Sequence, residues 1–324
     1  MIGESASWTI VGQGLAGTCL AWHFWQRGIE FKLLDHGTGG ASRVAAGLLN
    51  PVTGKNFEPS WRIDEFLPEA VEFYRAIEQK LGRKLWYPMP VLRLASADKE
   101  WRKIEGKLGE DRVSPWVDSV VEAPEGFVGA VQVKGGGRFD TRTFVEASRN
   151  FFAGHDLFTD ATRRCVVWCE GAAGLIQGKY GAHRCAKGEI LTVRANHWDG
   201  SRIKVGGGGW LVPVGPGLFK SGATYEWDDL DETPTAKGRE FVERILHRLG
   251  GTDYEIIAHD AGIRPILRRS EPLIGPVGEN EWMFNGLGSK GSLYAPGVAR
   301  RLASWLIDGI EPDTELDFRF HVAK

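Results

Sequence analysis

The residues best suited to chemistry stand near the start of the chain. Gly12-Gln13-Gly14-Leu15-Ala16-Gly17 spaces three glycines as a dinucleotide-binding turn does, and a carboxylate, Asp35, follows about 20 residues on. The first glycine permits a tight turn, the second lets backbone approach a pyrophosphate, and the third lets helix and strand pack closely. Free N–H groups at a helix start, near Leu15 and Ala16, would hold the phosphates. Asp35 would accept hydrogen bonds from the ribose hydroxyls, with His36 beside it as a further contact. A carboxylate there would repel a 2′-phosphate, which argues against NADP. The motif alone leaves NAD and FAD open.

Three elements must position these residues. Ser7-Trp8-Thr9-Ile10-Val11 is β-branched and apolar and reads as a strand running into the turn. Thr18 to Arg27 carries helix formers up to a stop at Gly28, and Phe31 to Asp35 reads as a second strand ending in the carboxylate. Together they form a compact β-α-β unit.

The 324 residues predict two domains or one large α/β unit. Lys and Arg total 40 against 42 Asp and Glu, a net charge of −2, so the overall balance favours neither nucleic acid nor an anionic membrane as partner. Cys19, Cys165, Cys169 and Cys185 form no zinc spacing with histidines and no disulfide framework, which fits a reducing compartment. Residues 1–20 lack the basic lead and cleavage site of a signal peptide. No run of about 18 apolar residues occurs, so a soluble, cytoplasmic protein is expected. The 43 glycines gather at the start, at 205–209 and at 286–297, and read as close backbone approaches within a fold. The stretch 98–116 reads as surface helix and loop. His155, His183, His197 and His259 are spread over unrelated segments and suggest neither a catalytic triad nor a metal site.

After the second strand, Ala41-Ser42-Arg43-Val44-Ala45-Ala46-Gly47-Leu48-Leu49-Asn50-Pro51 resembles the flavin-contacting loop of the D-amino-acid oxidase, glycine oxidase and sarcosine oxidase family. Further blocks follow in that family's order. They are Arg138-Phe139-Asp140, the apolar strand and glycine turn Cys165 to Gly174, and the pair Gly209-Trp210-Leu211-Val212-Pro213 and Lys220 to Glu226. Gly262-Ile263-Arg264-Pro265, Pro272-Leu273-Ile274-Gly275-Pro276, and Gly286-Leu287-Gly288-Ser289-Lys290-Gly291-Ser292 with Ala295-Pro296 complete the set. The interval from Asp140 to Cys165 is short for the family, and an adenine-side strand is expected to be reduced there.

The resemblance implies FAD, with Ser42 or Arg43 meeting the pyrophosphate and backbone at Ala45, Ala46 and Gly47 against the isoalloxazine edge. Gly171 would pass beside the cofactor. Gly286, Gly288, Ser289, Lys290, Gly291 and Ser292 would approach the pyrimidine side ahead of a helix from about Ala295 to Ile307, whose positive end can stabilise the reduced flavin's charge. It also implies hydride transfer from the α-carbon of a small amine or amino acid to flavin, leaving an imine that hydrolyses, with molecular oxygen or another acceptor completing the cycle. Arg264 would grip a substrate carboxylate with its planar fork. Glycine oxidases carry an arginine where this chain has Ser289, so Lys290 would replace the charge or the substrate would be larger than glycine. Trp210 would form a wall of the pocket. No cysteine follows Cys185, so the FAD is expected to be noncovalent.

The architecture so implied is a Rossmann-type FAD-binding domain with a parallel sheet, built from residues 1–75, 138–184 and 261–324. A mixed-sheet α+β substrate domain would come from 76–137 and 185–260. Other readings stay open: an oxidase like that of the bifunctional tRNA wobble-uridine modifying enzyme, whose Gly-Ser-Lys-Gly turn is similar, a flavin dehydrogenase serving a partner protein, and a non-catalytic FAD-dependent scaffold.

Overall fold

The computed structural model describes residues 7–35 and 40–321, so His36 lies outside the described residues. Trp8–Val11 lies one strand in from the edge of a five-stranded sheet, paired in parallel with the edge strand Phe31–Leu34 on one side and with Cys165–Trp168 on the other. Glu281–Asn285 continues the parallel run, and Leu273–Gly278 closes the edge antiparallel. One antiparallel edge strand on a parallel sheet is common in α/β folds. Beyond Phe31–Leu34 the sheet continues, among the described residues, only as a bridge between Leu33 and Phe158. The short interval after Asp140 has room for little more.

The first helix is Leu15–Gln26 and starts three residues before the expected Thr18, because Gly14 is already its extended N-cap. It is apolar nearly all round, as befits a helix buried on several faces, with Leu15 to Trp22 and Phe24 all buried. Gly17 is obligatory: a Cβ there would stand 1.9 Å from the Gly12 carbonyl oxygen.

The helix Gly291–Asp308 also starts earlier than the expected Ala295, and Pro296 falls inside it. Proline has no N–H, so the carbonyl of Ser292 loses its helical partner. The Tyr74 hydroxyl donates to that carbonyl at 2.7 Å, which repairs the loss. Tyr74 comes from the amphipathic helix Ile63–Leu81, whose buried face of Ile63, Phe66, Leu67, Ala70, Phe73, Tyr74 and Ile77 follows the helical period. The helix Thr141–Gly154 is capped by Asp140, which accepts from the Thr143 amide at 3.1 Å.

A second, eight-stranded sheet runs in the order 255–264, 186–194, 218–222, 209–215, 203–206, 91–95, 129–133, 117–121. It is mixed, because Ile203–Gly206 runs parallel to Val91–Ala95 while the other pairs are antiparallel. The helix Ala236–Leu249 packs Val242, Ile245 and Leu246 onto Leu191, Leu211 and Phe219 of this sheet. The stretch 98–116 is helical at Asp98–Glu105 and carries a 3-10 turn at Ser114–Trp116. It is less superficial than its charge suggests, since Ile104 and Val113 are buried. Among the described residues no helix is long and apolar enough to cross a membrane.

Candidate active site

A cavity of about 1740 Å³ runs between the two sheets. Its walls bring together Gly12, Gly14, Leu15 and Asp35, the segment Ser42, Arg43, Ala45, Ala46 and Gly47, and Gly171. Gly288, Ser289, Lys290, Gly291, Ser292, Trp210 and Arg264 share the same cavity. Three expected cofactor contacts stand behind its walls. Ala16 and Gly17 are turned into the helix–strand packing, and Gly286 backs onto Leu267, whose Cδ1 a Cβ would meet at 2.5 Å.

Around Gly12 and Gly14 the cavity wall is bare backbone. Gly12 takes a φ of +95°, and a Cβ on it would stand 2.5 Å from the Cys169 carbonyl oxygen. Ser42 Oγ accepts from the Leu15 amide at 3.0 Å, tying the one-turn helix Ala41–Val44, part of what the sequence reads as a loop, to the start of the first helix. No acidic residue occupies the first turn of that helix, so its positive end faces the cavity uncompensated from within. Asp35 accepts from the Gln13 amide at 3.0 Å and from Arg149 at 2.6 Å. Arg149 also donates to Gln13 Oε1 and lies over the ring of Phe158, 4.6 Å from its centroid. Sequence reading missed Arg149, whose only signal is its place one helical turn after Val145, a cavity residue.

In the middle of the cavity Gly47 is fixed by contact, for a Cβ there would lie 1.7 Å from the Phe139 carbonyl oxygen. Lys220 Nζ donates to the Val44 carbonyl at 2.7 Å and so supports the small-residue loop. Burial, aided by Arg142, pushes this lysine down to about 8. The alternation of its strand was the available signal: Phe219 and Ser221 point into buried packing, so Lys220 faces the other way.

At the far end, Arg264 Nη1 donates to the Thr224 carbonyl at 3.1 Å, and the guanidinium sits 4.2 Å from the Tyr225 ring centroid. Gly188 leaves it room, since a Cβ there would stand 2.2 Å from Nη2. Burial lowers the pKa of Arg264. Among the described residues no carboxylate lies within ion-pair distance of it. Lys290 Nζ donates to Thr53 Oγ1 at 3.1 Å and is also lowered by burial, opposed by the Glu271 carboxylate. Trp210 lines the cavity and packs on the cluster around Val91, Val131 and Val212, so it serves as wall and packing together.

Cys169 reaches the cavity beside Gly12, where burial pushes its thiol up and away from the reactive thiolate. None of His155, His183, His197 and His259 lines the cavity. Instead His259 Nε2 stands 2.8 Å from the buried Glu189 carboxylate, which also accepts from Thr235. Among the described residues no cluster of His, Cys, Asp or Glu could hold a metal ion.

A glycine-lined turn at a helix start and a carboxylate beside it share one cavity, and the model of the FAD dependent oxidoreductases matches residues 7–305. The chain belongs to this family. As an FAD-dependent oxidoreductase it is 22% identical to the tRNA 5-methylaminomethyl-2-thiouridine biosynthesis bifunctional protein MnmC of Marinobacter nauticus, over 91% of this chain and 54% of that one. It is 30% identical to the glycine oxidase of Pseudomonas aeruginosa over 39% of this chain and 35% of that one. The chain thus spans about half the length of the MnmC relatives it matches. Its fold superposes on glycine oxidase from Geobacillus kaustophilus with a TM-score of 0.78, 20% identity and 98% of each chain covered. Iminodiacetate oxidase from Chelativorans sp. gives 0.77 at 19% identity, over 94% of this chain and 96% of that one.

Proposed function

We propose that this FAD-dependent oxidoreductase oxidises a small amine or amino acid bearing a carboxylate, with Arg264 as the group that grips it. The observation that carries this reading is a half-buried guanidinium in the cavity wall with no carboxylate partner among the described residues. Leaving such a cation desolvated is costly unless a ligand supplies the counter-charge.

The residues present fit FAD. Gly12 and Gly14 keep side chains out of the pyrophosphate path, Ser42 fixes the loop that would cover it, and Ala45 to Gly47 offer only small groups to the ring. The turn Gly288–Lys290 and the helix start at Gly291 and Ser292 would meet the pyrimidine side. When bound, FAD supplies the electron sink that accepts hydride from the substrate's α-carbon.

The chain's own residues then bind, aim and enclose. Thr224 and Tyr225 hold the Arg264 guanidinium, so its fork keeps one direction and a carboxylate docked on it fixes the adjoining α-carbon. Trp210 supplies an aromatic wall to the cavity. Lys290 adds a second cation anchored on Thr53, in the turn where glycine oxidases carry an arginine. We read the cofactor as noncovalent, because Cys169 is the cysteine at the cavity and its thiol is held protonated at the dinucleotide end. Residues 8–34, 165–168 and 273–285 supply the sheet of the proposed FAD domain. In the proposed substrate domain the last strand runs on through Arg264, past the boundary expected at 260.

The deciding experiment is the visible spectrum of the purified protein before and after anaerobic addition of glycine, sarcosine, iminodiacetate and a panel of D-amino acids. Bleaching of a flavin band by one of them supports the reading. A protein that stays colourless after reconstitution with FAD sinks it.

A further inference from the structure

We infer that the substrate carries a second anionic group, remote from the reacting amine, and that Arg248 with Lys99 and Lys103 receives it. The inference rests on the amine-oxidising reading above and names its substrate class more closely. Across the eight-stranded sheet, Trp210 pairs with Val205 and Val205 with Arg93, and all three line the cavity. Neighbouring strands lie about 4.8 Å apart, so this row carries the cavity about 10 Å beyond Trp210. The cavity there is bounded by the helix Asp98–Glu105 and by the turn after Ile203–Gly206.

The side chains of this outer section are cationic. Lys99, Lys103 and Arg248 are exposed, and Lys55 joins them from the neighbouring turn. The acid in the section, Glu100, is already engaged: it accepts from Arg93 at 2.7 Å and from the Ser96 amide at 2.9 Å. The other cavity acids are engaged elsewhere. Asp35 pairs with Arg149, Glu170 with Lys179, Glu271 with Arg269, and Glu232 accepts from the Gly40 amide.

The glycine cluster at 205–209 acquires a purpose here. Gly207 sits at φ +59° with the stem of Arg248 laid across it, and a Cβ would stand 2.6 Å from Arg248 Cδ. The bare turn therefore seats Arg248 at the cavity, where among the described residues no carboxylate lies within ion-pair distance of it. Like charges crowded at one end of a cleft raise the local concentration of anions and are relieved by binding one. Carboxylate and phosphate both suit guanidinium and ammonium donors. The net charge of −2 favours a compact tail over a nucleic acid, which calls for a broader basic surface.

The test uses the FAD-loaded protein and three amines that differ only in the tail: N-carboxymethyl-hexylamine, N-carboxymethyl-aminohexanoate and its phosphate-ended analogue. Apparent Kd is read from anaerobic flavin bleaching, and from flavin spectral perturbation by the unreactive pair hexanoate and adipate. Charged tails are expected to bind about tenfold tighter at low salt, with the advantage shrinking as salt screens it. The ratio should fall toward one in Arg248→Gln and recover in Arg248→Lys. Comparing the two charged amines tells carboxylate from phosphate. Equal affinity for charged and neutral tails in the unaltered protein overturns the inference, and so does bulk tRNA displacing adipate, which would mean a polyanion site. If none of the amines bleaches the flavin, the amine-oxidising reading fails, while adipate against hexanoate still decides whether an anion is held there.

Discussion

Arg149 holds Asp35: its Nη1 stands 2.6 Å from one carboxylate oxygen, while the other accepts from the Gln13 amide at 3.0 Å. The carboxylate is thereby oriented from two sides before any cofactor arrives. Arg149→Met should weaken FAD binding several-fold and leave FMN binding unchanged, since FMN lacks the adenosine half. Asp35→Ala should weaken FAD more. Flavin fluorescence titration of the apoprotein measures both, and equal losses for FAD and FMN would mean a general structural defect.

Arg264→Ala is expected to keep FAD bound while raising KM for carboxylate-bearing amines by orders of magnitude, because a bidentate, partly desolvated ion pair would be lost. Steady-state kinetics decide it. An unchanged KM removes Arg264 from the site.

Tyr74→Phe should cost about 1–3 kcal/mol of stability, the penalty for leaving the Ser292 carbonyl buried without a donor. Urea unfolding at constant m-value is the measure. A loss near zero would show that the carbonyl finds water instead.

His23 gives the protein an acid-sensitive term. Burial drives its pKa from 6.5 to about 4, with Pro296's carbonyl 3.1 Å from the ring. The unfolded chain therefore binds a proton at higher pH than the folded one. The contribution is present above about 6.5 and is lost as pH falls toward 4, to a total of about 3 kcal/mol. In His23→Gln the urea midpoint should vary less between pH 6.5 and 4 than in the unaltered protein; parallel curves would refute the assignment.

The β-α-β unit was legible because its signals are local: a β-branched run, three spaced glycines and a terminal acid all sit within a few turns of chain. Arg264, Trp210 and Lys290 were legible only through resemblance, and the structure does bring them to one cavity. Arg149 and Lys220 were not, since each owes its role to a partner about a hundred residues or more away, which no local period encodes. The helix starts at Leu15 and Gly291 were misjudged for one reason. Glycine and proline lower helix propensity, yet Gly17 and Pro296 sit in first or second turns, where packing and the Tyr74 hydroxyl offset the cost.

The single bridge at Leu33 has a consequence for how the molecule behaves in a crowd. A sheet edge with open N–H and C=O groups is a template for pairing with other chains. Leu33 donates to Leu157 and accepts from Thr159 at the outer edge, and Ile274 on the opposite edge is bridged to Asp317 and donates to Leu316. Each edge of the five-stranded sheet is thus plugged by a short passing segment instead of a full strand, which guards the folded protein against edge-to-edge aggregation.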